Sequence, residues 1–292
     1  MNASRLESRA PIVDCHCHAG SGDGLSGPWD TRASVGPYLR RAARAGIDRS
    51  VLFPAFHSDY AVANREVARI VASRPDRFYG FAMVHPERDR GRVLELVRVA
   101  VQVYGFVGIK VHRYDGRITR EVCQAADTFG LPVLYDLVGE VAACELLAQE
   151  YPRVRFIIPH LGSFADDWRA QLAVIDHLVR HPNIYADTAG VRRFDLLAQA
   201  VARAGAGKIL FGSDGPWLHP AVELAKIRAL GLTPRDERQV LGGNLLRLIS
   251  VVTTRPQGVR RSLGRRVRTA SYAAGRPADS HDPWTFGNVI PA

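Results

Sequence analysis

The stretch GFVGIKVHRYDGRITREVCQAADTFGLPVLYD, residues 105–136, reads as strand, helix and strand in succession. GFVGIKV, from Gly105, and PVLYD, from Pro132, are short runs rich in β-branched and aromatic residues, as expected of strands covered on both faces. Between them Val122, Ala125, Ala126 and Phe129 recur at helical spacing along one face. Thr119 stands at the N-cap position and Gly130 where the helix stops. Parallel neighbours need a crossover of roughly a dozen residues or more, and a helix is the usual one.

The same alternation continues on both sides. PIVDCH (from Pro11), SVLF (from Ser50) and FYGFAMV (from Phe78) precede the stretch; RFIIPH (from Arg155), IYADT (from Ile184) and ILFGSD (from Ile209) follow it. Amphipathic segments lie between them. Trp168, Leu172, Ile175 and Val179 share one face, as do Val240, Leu241, Leu245 and Leu248 in a last helix. Eight strand–helix units predict a single α/β domain, a (β/α)8 TIM barrel over residues 11–250. An open doubly wound sheet is the lesser reading, because no GxGxxG loop follows an early strand. Past residue 250 the periodicity fails. TTRPQGVRRSLGRRVRTASYAAGRPADSHDPW is rich in Pro, Gly, Ser and Arg, so residues 251–292 read as a disordered, arginine-rich tail.

The chain has 292 residues, 47% apolar and 23% charged, enough to bury a sizeable core without disulfide staples. Of its net charge of +10, seven arginines against Asp279 and Asp282 place +5 beyond residue 254. A solvated tail accounts for that charge, and no basic–aromatic interleaving or helix-turn-helix pattern points to nucleic acid. No run approaches the roughly 18–20 apolar residues of a membrane span, and MNASRLESRAPIVD lacks the apolar core of a signal peptide. Cys15, Cys17, Cys123 and Cys144 are scattered, which suits a reducing cytoplasm. The expected partner is a small-molecule substrate, without nucleic acid or membrane, and a homo-oligomer is left open.

In such barrels chemistry gathers at the C-terminal ends of the strands. Those ends carry Asp14, His16 and His18, then Lys110 and His112, then Asp136, His160, Asp187 and Asp214. Side chains at i and i+2 share a face, so His16 and His18 point together while Cys15 and Cys17 face the helix layer. Two imidazoles met by carboxylates from other strands make a divalent-metal site, zinc by ligand type and manganese second. A lone histidine would be a satisfied core group; this set is harder to keep buried without a partner. Lys110 is expected to pair with Asp136 or Asp214 across the barrel mouth. Arg113, Arg192 and Arg193 follow strands on the same side and either grip a substrate carboxylate or are solvated. Trp29, His57, His85, Trp217 and His219 are candidates for the pocket wall.

The motifs DxHxH (Asp14, His16, His18), PHLG (Pro159 to Gly162), GSDGP (Gly212 to Pro216) and LGGNLLRLI (Leu241 to Ile249) resemble the amidohydrolase superfamily. The likeness is narrower to the amidohydrolase-related branch, with aminocarboxymuconate-semialdehyde decarboxylase and several lactone hydrolases, and covers about Pro11 to Ile249. It implies a metal held by His16, His18 and Asp214, with His160 acting on water or substrate. Where the family pattern carries a fifth-strand histidine, LPVLYD has Asp136. Asp136 either ligates through oxygen or marks a weakened or metal-free site. His112 is a replacement ligand or a substrate contact. In related two-metal enzymes a fourth-strand lysine, here Lys110, is carboxylated.

The expectation is therefore a metal-dependent hydrolase of a small polar, carboxylate-bearing lactone, ester or amide. Its metal ligands are His16, His18, Asp136 and Asp214, with Asp214 and His160 catalytic. Lys110, His112, Arg113, Arg192 and Trp217 are its substrate contacts. The alternatives are a metal-dependent non-oxidative decarboxylase, and a metal-free lactonase or a barrel that only binds its ligand.

Overall fold

The computed structural model describes residues 10–26, 31–164 and 167–252; Trp29 and the expected tail beyond Val252 lie outside the described residues. The strands are β1 (Val13–Ser21), β2 (Arg32–Ala33), β3 (Arg49–Pro54), β4 (Phe78–Met83), β5 (Gly108–His112), β6 (Val133–Asp136), β7 (Phe156–Ile158), β8 (Ile184–Asp187) and β9 (Ile209–Leu210). The helices are α1 (Val35–Ala45), α2 (Tyr60–Ser73), α3 (Val93–Gln102), α4 (Arg120–Phe129), α5 (Ala143–Glu150), α6 (Trp168–Arg180), α7 (Phe194–Ala204), α8 (Pro220–Ala229), α9 (Pro234–Arg238) and α10 (Asn244–Ile249). Each of the eight apolar runs holds a strand. The short β2, which no apolar run announces, pairs antiparallel with the end of β1.

The remaining strands run parallel in chain order, β1–β3–β4–β5–β6–β7–β8–β9. The sheet curls until its ends meet. The Cys15 N–H donates to the Phe211 carbonyl at 2.9 Å and the His18 N–H to the Gly215 carbonyl at 2.7 Å. α4 ends at Gly130, which takes the left-handed conformation at φ 64°. Thr119 holds the N-cap position of α4, but its side chain makes no capping bond. Among the described residues no helix is long and apolar enough to cross a membrane.

The core has an inner and an outer part. Inside the curled sheet, Val13, Cys15, Val51, Phe53, Phe81, Leu134, Ile157 and Leu210 pack together, closed below by Leu245, Leu248 and Ile249 of α10. Their strand neighbours, Leu52, Ile109, Val133, Phe156 and Ile158 among them, pack outward against the helices. Alternation along the strands produces this division. β1 departs from it. Its pairing with β3 shifts register between Asp14 and Cys17, a bulge that places Cys15 with the inner group while Cys17 packs outward. The expectation that both cysteines face the helices thus fails for Cys15. The bulge lets successive residues Cys15 and His16 both face inward, as bulges beside functional sites re-aim side chains.

Candidate active site

The ends of β1, β5, β6 and the segments after β7 and β9 surround a cavity of about 280 Å³ lined by His16, His18, Phe56, Lys110, His112, Asp136, His160, Phe164, Asp214, Trp217 and Leu218. A larger groove of about 870 Å³ lies among α4, α5 and α6 and contains none of the histidines, so size alone does not mark the site.

His16 and His18 are each oriented from behind. His16 Nδ1 lies 2.7 Å from Asp187 Oδ2, and His18 Nδ1 lies 3.1 Å from the Pro54 carbonyl. Both acceptors take an N–H from Nδ1, which leaves each Nε2 as the ring atom turned to the cavity. Asp214 Oδ1 sits 3.5 Å from Nε2 of His16 and 3.4 Å from Nε2 of His18. Burial pushes His18 down to about 4, against the pull of Asp214, so its ring is neutral near pH 7. Burial would raise Asp214, but the facing imidazoles, His18 first, hold it below the usual carboxylate range. His16 Nε2, His18 Nε2 and Asp214 Oδ1 therefore face one point. These ligand atoms, all within 4.8 Å of one another, fit a divalent metal.

Backbone geometry supports the cluster. Asp214 sits at φ 55° and His160 at φ 57°, conformations that non-glycine residues keep only where the surroundings hold them. Gly212 lets the backbone approach closely, since a Cβ there would crowd the His16 Cβ at 3.0 Å. Asp14, the first residue of DxHxH, is not in the cavity. It accepts from the His16 and Ser213 N–H groups at 3.1 and 2.9 Å and from the Tyr38 hydroxyl at 2.8 Å, tying β1 to the residue before Asp214.

Asp136 occupies the other half of the cavity. Its Oδ2 lies 3.3 Å from Nε2 of His112 and 3.4 Å from Nε2 of His160, and its Oδ1 accepts from the Val138 N–H at 3.0 Å. The register of β5 with β6 pairs His112 with Asp136 directly. His112 Nδ1 accepts from the Tyr114 N–H at 3.2 Å, so its proton resides on Nε2 and points to Asp136. That geometry makes His112 a donor. His160 directs Nδ1 to the Ala189 carbonyl at 2.7 Å. Burial lowers the His160 ring, but the Asp136 hydrogen bond and the charges of Asp136, Asp214 and Asp187 raise it to about 9. The two imidazoles hold Asp136 well below the usual range despite its burial. Asp136 thus forms a carboxylate bridge between imidazoles and stands outside the His16–His18–Asp214 group.

Lys110 does not form the expected ion pair. It is fully buried and its Nζ has no hydrogen-bond partner among the described residues. The ammonium lies 5.2 Å from the Phe53 ring centroid. The physical reason is competition: Asp136 and Asp214 are drawn to histidines instead.

Of the other expected contacts, Trp217 lines the cavity with its ring centroid 4.3 Å from that of His18. Arg113 does not line it and pairs with Glu140 at 2.6 Å; Arg192, after β8, is exposed and also outside the lining. His57 lies 3.5 Å from Asp23, His85 4.0 Å from Asp115, and the His219 side chain caps α8. Sequence reasoning missed the part played by Asp187, which holds His16 through Oδ2 and the His160 and Ala189 N–H groups through Oδ1, both at 3.0 Å. Its place at a strand end was the available signal. Phe56, Phe164 and Leu218 were also missed, because loop hydrophobics carry no distinguishing pattern.

Solved structures of the same fold include 5-carboxyvanillate decarboxylase from Sphingomonas paucimobilis, at 15% identity and TM-score 0.64 over 84% of this chain and 100% of that one. A dihydroxybenzoic acid decarboxylase from Polaromonas, with bound manganese and the inhibitor 2-nitroresorcinol, matches at 18% identity and TM-score 0.63, over 82% of this chain and 97% of that one. The 4-oxalomesaconate hydratase from Rhodopseudomonas palustris matches at 19% identity and TM-score 0.62, over 82% and 96%. No curated protein matches in sequence. The amidohydrolase family pattern matches residues 13–250, from the first residue of β1 to just past α10, and the chain therefore belongs to the amidohydrolase family of enzymes.

Proposed function

We propose that this enzyme is a metal-dependent hydrolase of a small carboxylate-bearing substrate, holding one divalent cation through His16, His18 and Asp214. The observation that carries the reading is the convergence of His16 Nε2, His18 Nε2 and Asp214 Oδ1 on one point in one cavity. Zinc suits two imidazoles and a carboxylate, with manganese the second choice; manganese is bound in the Polaromonas decarboxylase. A bound divalent ion supplies Lewis acidity and lowers the pKa of a water. The chain's own groups do the rest. Asp214, unprotonated, accepts a proton from the attacking water, and His160, its ring held through Nδ1 by the Ala189 carbonyl, turns its Nε2 proton from Asp136 to the substrate oxygen. Phe56, Phe164, Trp217 and Leu218 keep bulk water from the reacting group. As a ligand, Asp136 must release an imidazole; otherwise it positions His160.

The second reading is non-oxidative decarboxylation at the same residues. It is supported by the two decarboxylases that share the fold. In that reaction protonation at carbon by His160 takes the place of attack by water.

Elemental mass spectrometry on tag-free protein tests the metal. About one zinc or manganese per chain, lost in His16→Ala, is the expected result. Retention of the metal in Asp136→Asn makes Asp136 a positioning residue, and its loss makes Asp136 a ligand. No metal after reconstitution overturns the reading and leaves a metal-free lactonase or a ligand-binding barrel. Carbon dioxide released without uptake of labelled water selects the decarboxylase.

A further inference from the structure

The cavity contains two buried donors that the fold leaves unanswered. Lys110 and Trp217 both line the same cavity, and Lys110 Nζ and Trp217 Nε1, each buried, have no hydrogen-bond partner among the described residues. The four carboxylates that act on the lysine are already engaged, Asp115 by the Tyr60 hydroxyl at 2.6 Å. Asp136 binds the Val138 N–H and two imidazoles, Asp187 binds His16 and two backbone N–H groups, and Asp214 faces His16 and His18. None of them lies within 4 Å of the ammonium. A buried ammonium without a counterion is costly, and packing alone would be served better by leucine or methionine at this position. The indole N–H of Trp217 meets the same objection, since Trp is favoured in a core only where that group finds an acceptor. Both donors lack the acceptor that a ligand would bring.

We propose that Lys110 is the anion anchor of this site. The substrate places a carboxylate on the Lys110 ammonium and a second oxygen on Trp217 Nε1, with its reacting group on the side of His16, His18 and Asp214. This rests on reading the cavity as the catalytic site. It reassigns the carboxylate grip from Arg113, engaged with Glu140, and from exposed Arg192 to a residue inside the cavity. A cavity of about 280 Å³ walled by Phe56, Phe164, Trp217 and Leu218 has room for one ring and a few substituents. The ligand class is therefore a monocyclic or similarly small acid, and its neutral analogue is discriminated against because the ammonium would stay unpaired.

The test compares benzoate with benzamide by calorimetric titration of the protein as purified, for wild type, Lys110→Met, Lys110→Arg and Trp217→Phe. Benzoate is expected to bind wild type at least about tenfold more tightly than benzamide. Lys110→Met should erase that preference and leave benzamide binding within about twofold, while Lys110→Arg keeps most of it. Trp217→Phe should weaken both ligands. Equal loss of both ligands in Lys110→Met would show a merely structural lysine and overturn the proposal, as would an unchanged benzoate affinity. Reductive trapping of Lys110 by an aldehyde probe, with no benzoate preference in wild type, would overturn it in favour of covalent chemistry. Metal content measured on the same samples separates the two readings. Benzoate preference in wild type that takes up no metal even on reconstitution keeps the anchor and removes the metal mechanism; loss of metal in Lys110→Met removes the anchor and keeps the metal.

Discussion

Lys110→Met removes an ammonium that is fully buried and without a hydrogen-bond partner, and keeps an unbranched side chain that packs on Phe53. Two effects oppose each other. Desolvation penalises the charge, and the carboxylates of Asp136, Asp187, Asp214 and Asp115 attract it from a distance. Burial wins, since the lysine is held below its ordinary value in spite of four carboxylates. An unsatisfied buried polar group costs about 1–3 kcal/mol, and a charged one lies at the upper end. Methionine should therefore stabilise the protein by about 1–3 kcal/mol, which for a domain of this size is roughly 2–12 °C in Tm. Urea midpoints and thermal melts followed by circular dichroism measure it, with a constant m-value as the check that the denatured state is unchanged. A melting temperature lowered by the substitution would refute the reasoning, because it would mean that attraction by the carboxylates outweighs desolvation. A gain in stability joined to a loss of benzoate preference is the trade-off expected of a residue kept for function.

Asp187→Asn should weaken metal binding about 10–100-fold by releasing the His16 Nδ1–H, as read by competition with a chromophoric chelator; unchanged affinity would remove Asp187 as an orienting group. Tyr38→Phe leaves Asp14 Oδ2 without its 2.8 Å donor in a fully buried place, so a loss of about 1–3 kcal/mol in urea unfolding is expected, and no loss would mean that β1 is held elsewhere. Glu140 is held down to about 2 by Arg113 and then Arg117. Its folded pKa lies below the unfolded value of about 4.3, so the ion pairs stabilise above that pH and their contribution is lost as pH falls through about 2. The group is exposed and screened, which limits the effect to less than about 1 kcal/mol. Glu140→Gln should trail wild type slightly at pH 6 and match it near pH 2 in urea midpoints; a gap that persists at pH 2 would assign the effect to packing.

Much of the scaffold was legible because periodicity is a local property. The runs from Gly105 and Pro132 became β5 and β6, and the face of Val122, Ala125, Ala126 and Phe129 became the buried face of α4. The bulge in β1 was not legible, because it arises where the strand must pair with β3 on one side and Phe211 on the other. Strict alternation consequently misplaced Cys15, although His16 and His18 do reach the same cavity.

The residue types and their places at strand ends were written in the chain: HxH on the first strand, His160 after PHLG, Asp214 in GSDGP. Which carboxylate meets which base was not. Asp136, Asp187 and Asp214 are equivalent as strand-end aspartates, yet one bridges His112 and His160, one orients His16, and one faces the two Nε2 atoms. That division depends on strand register and on distances of a few tenths of an ångström between residues far apart in the chain. Competition among those contacts also decided that Lys110 would be left without a partner. Local pattern encodes the elements and the chemistry they carry; the pairing of buried charges is settled only when the sheet curls and its ends meet.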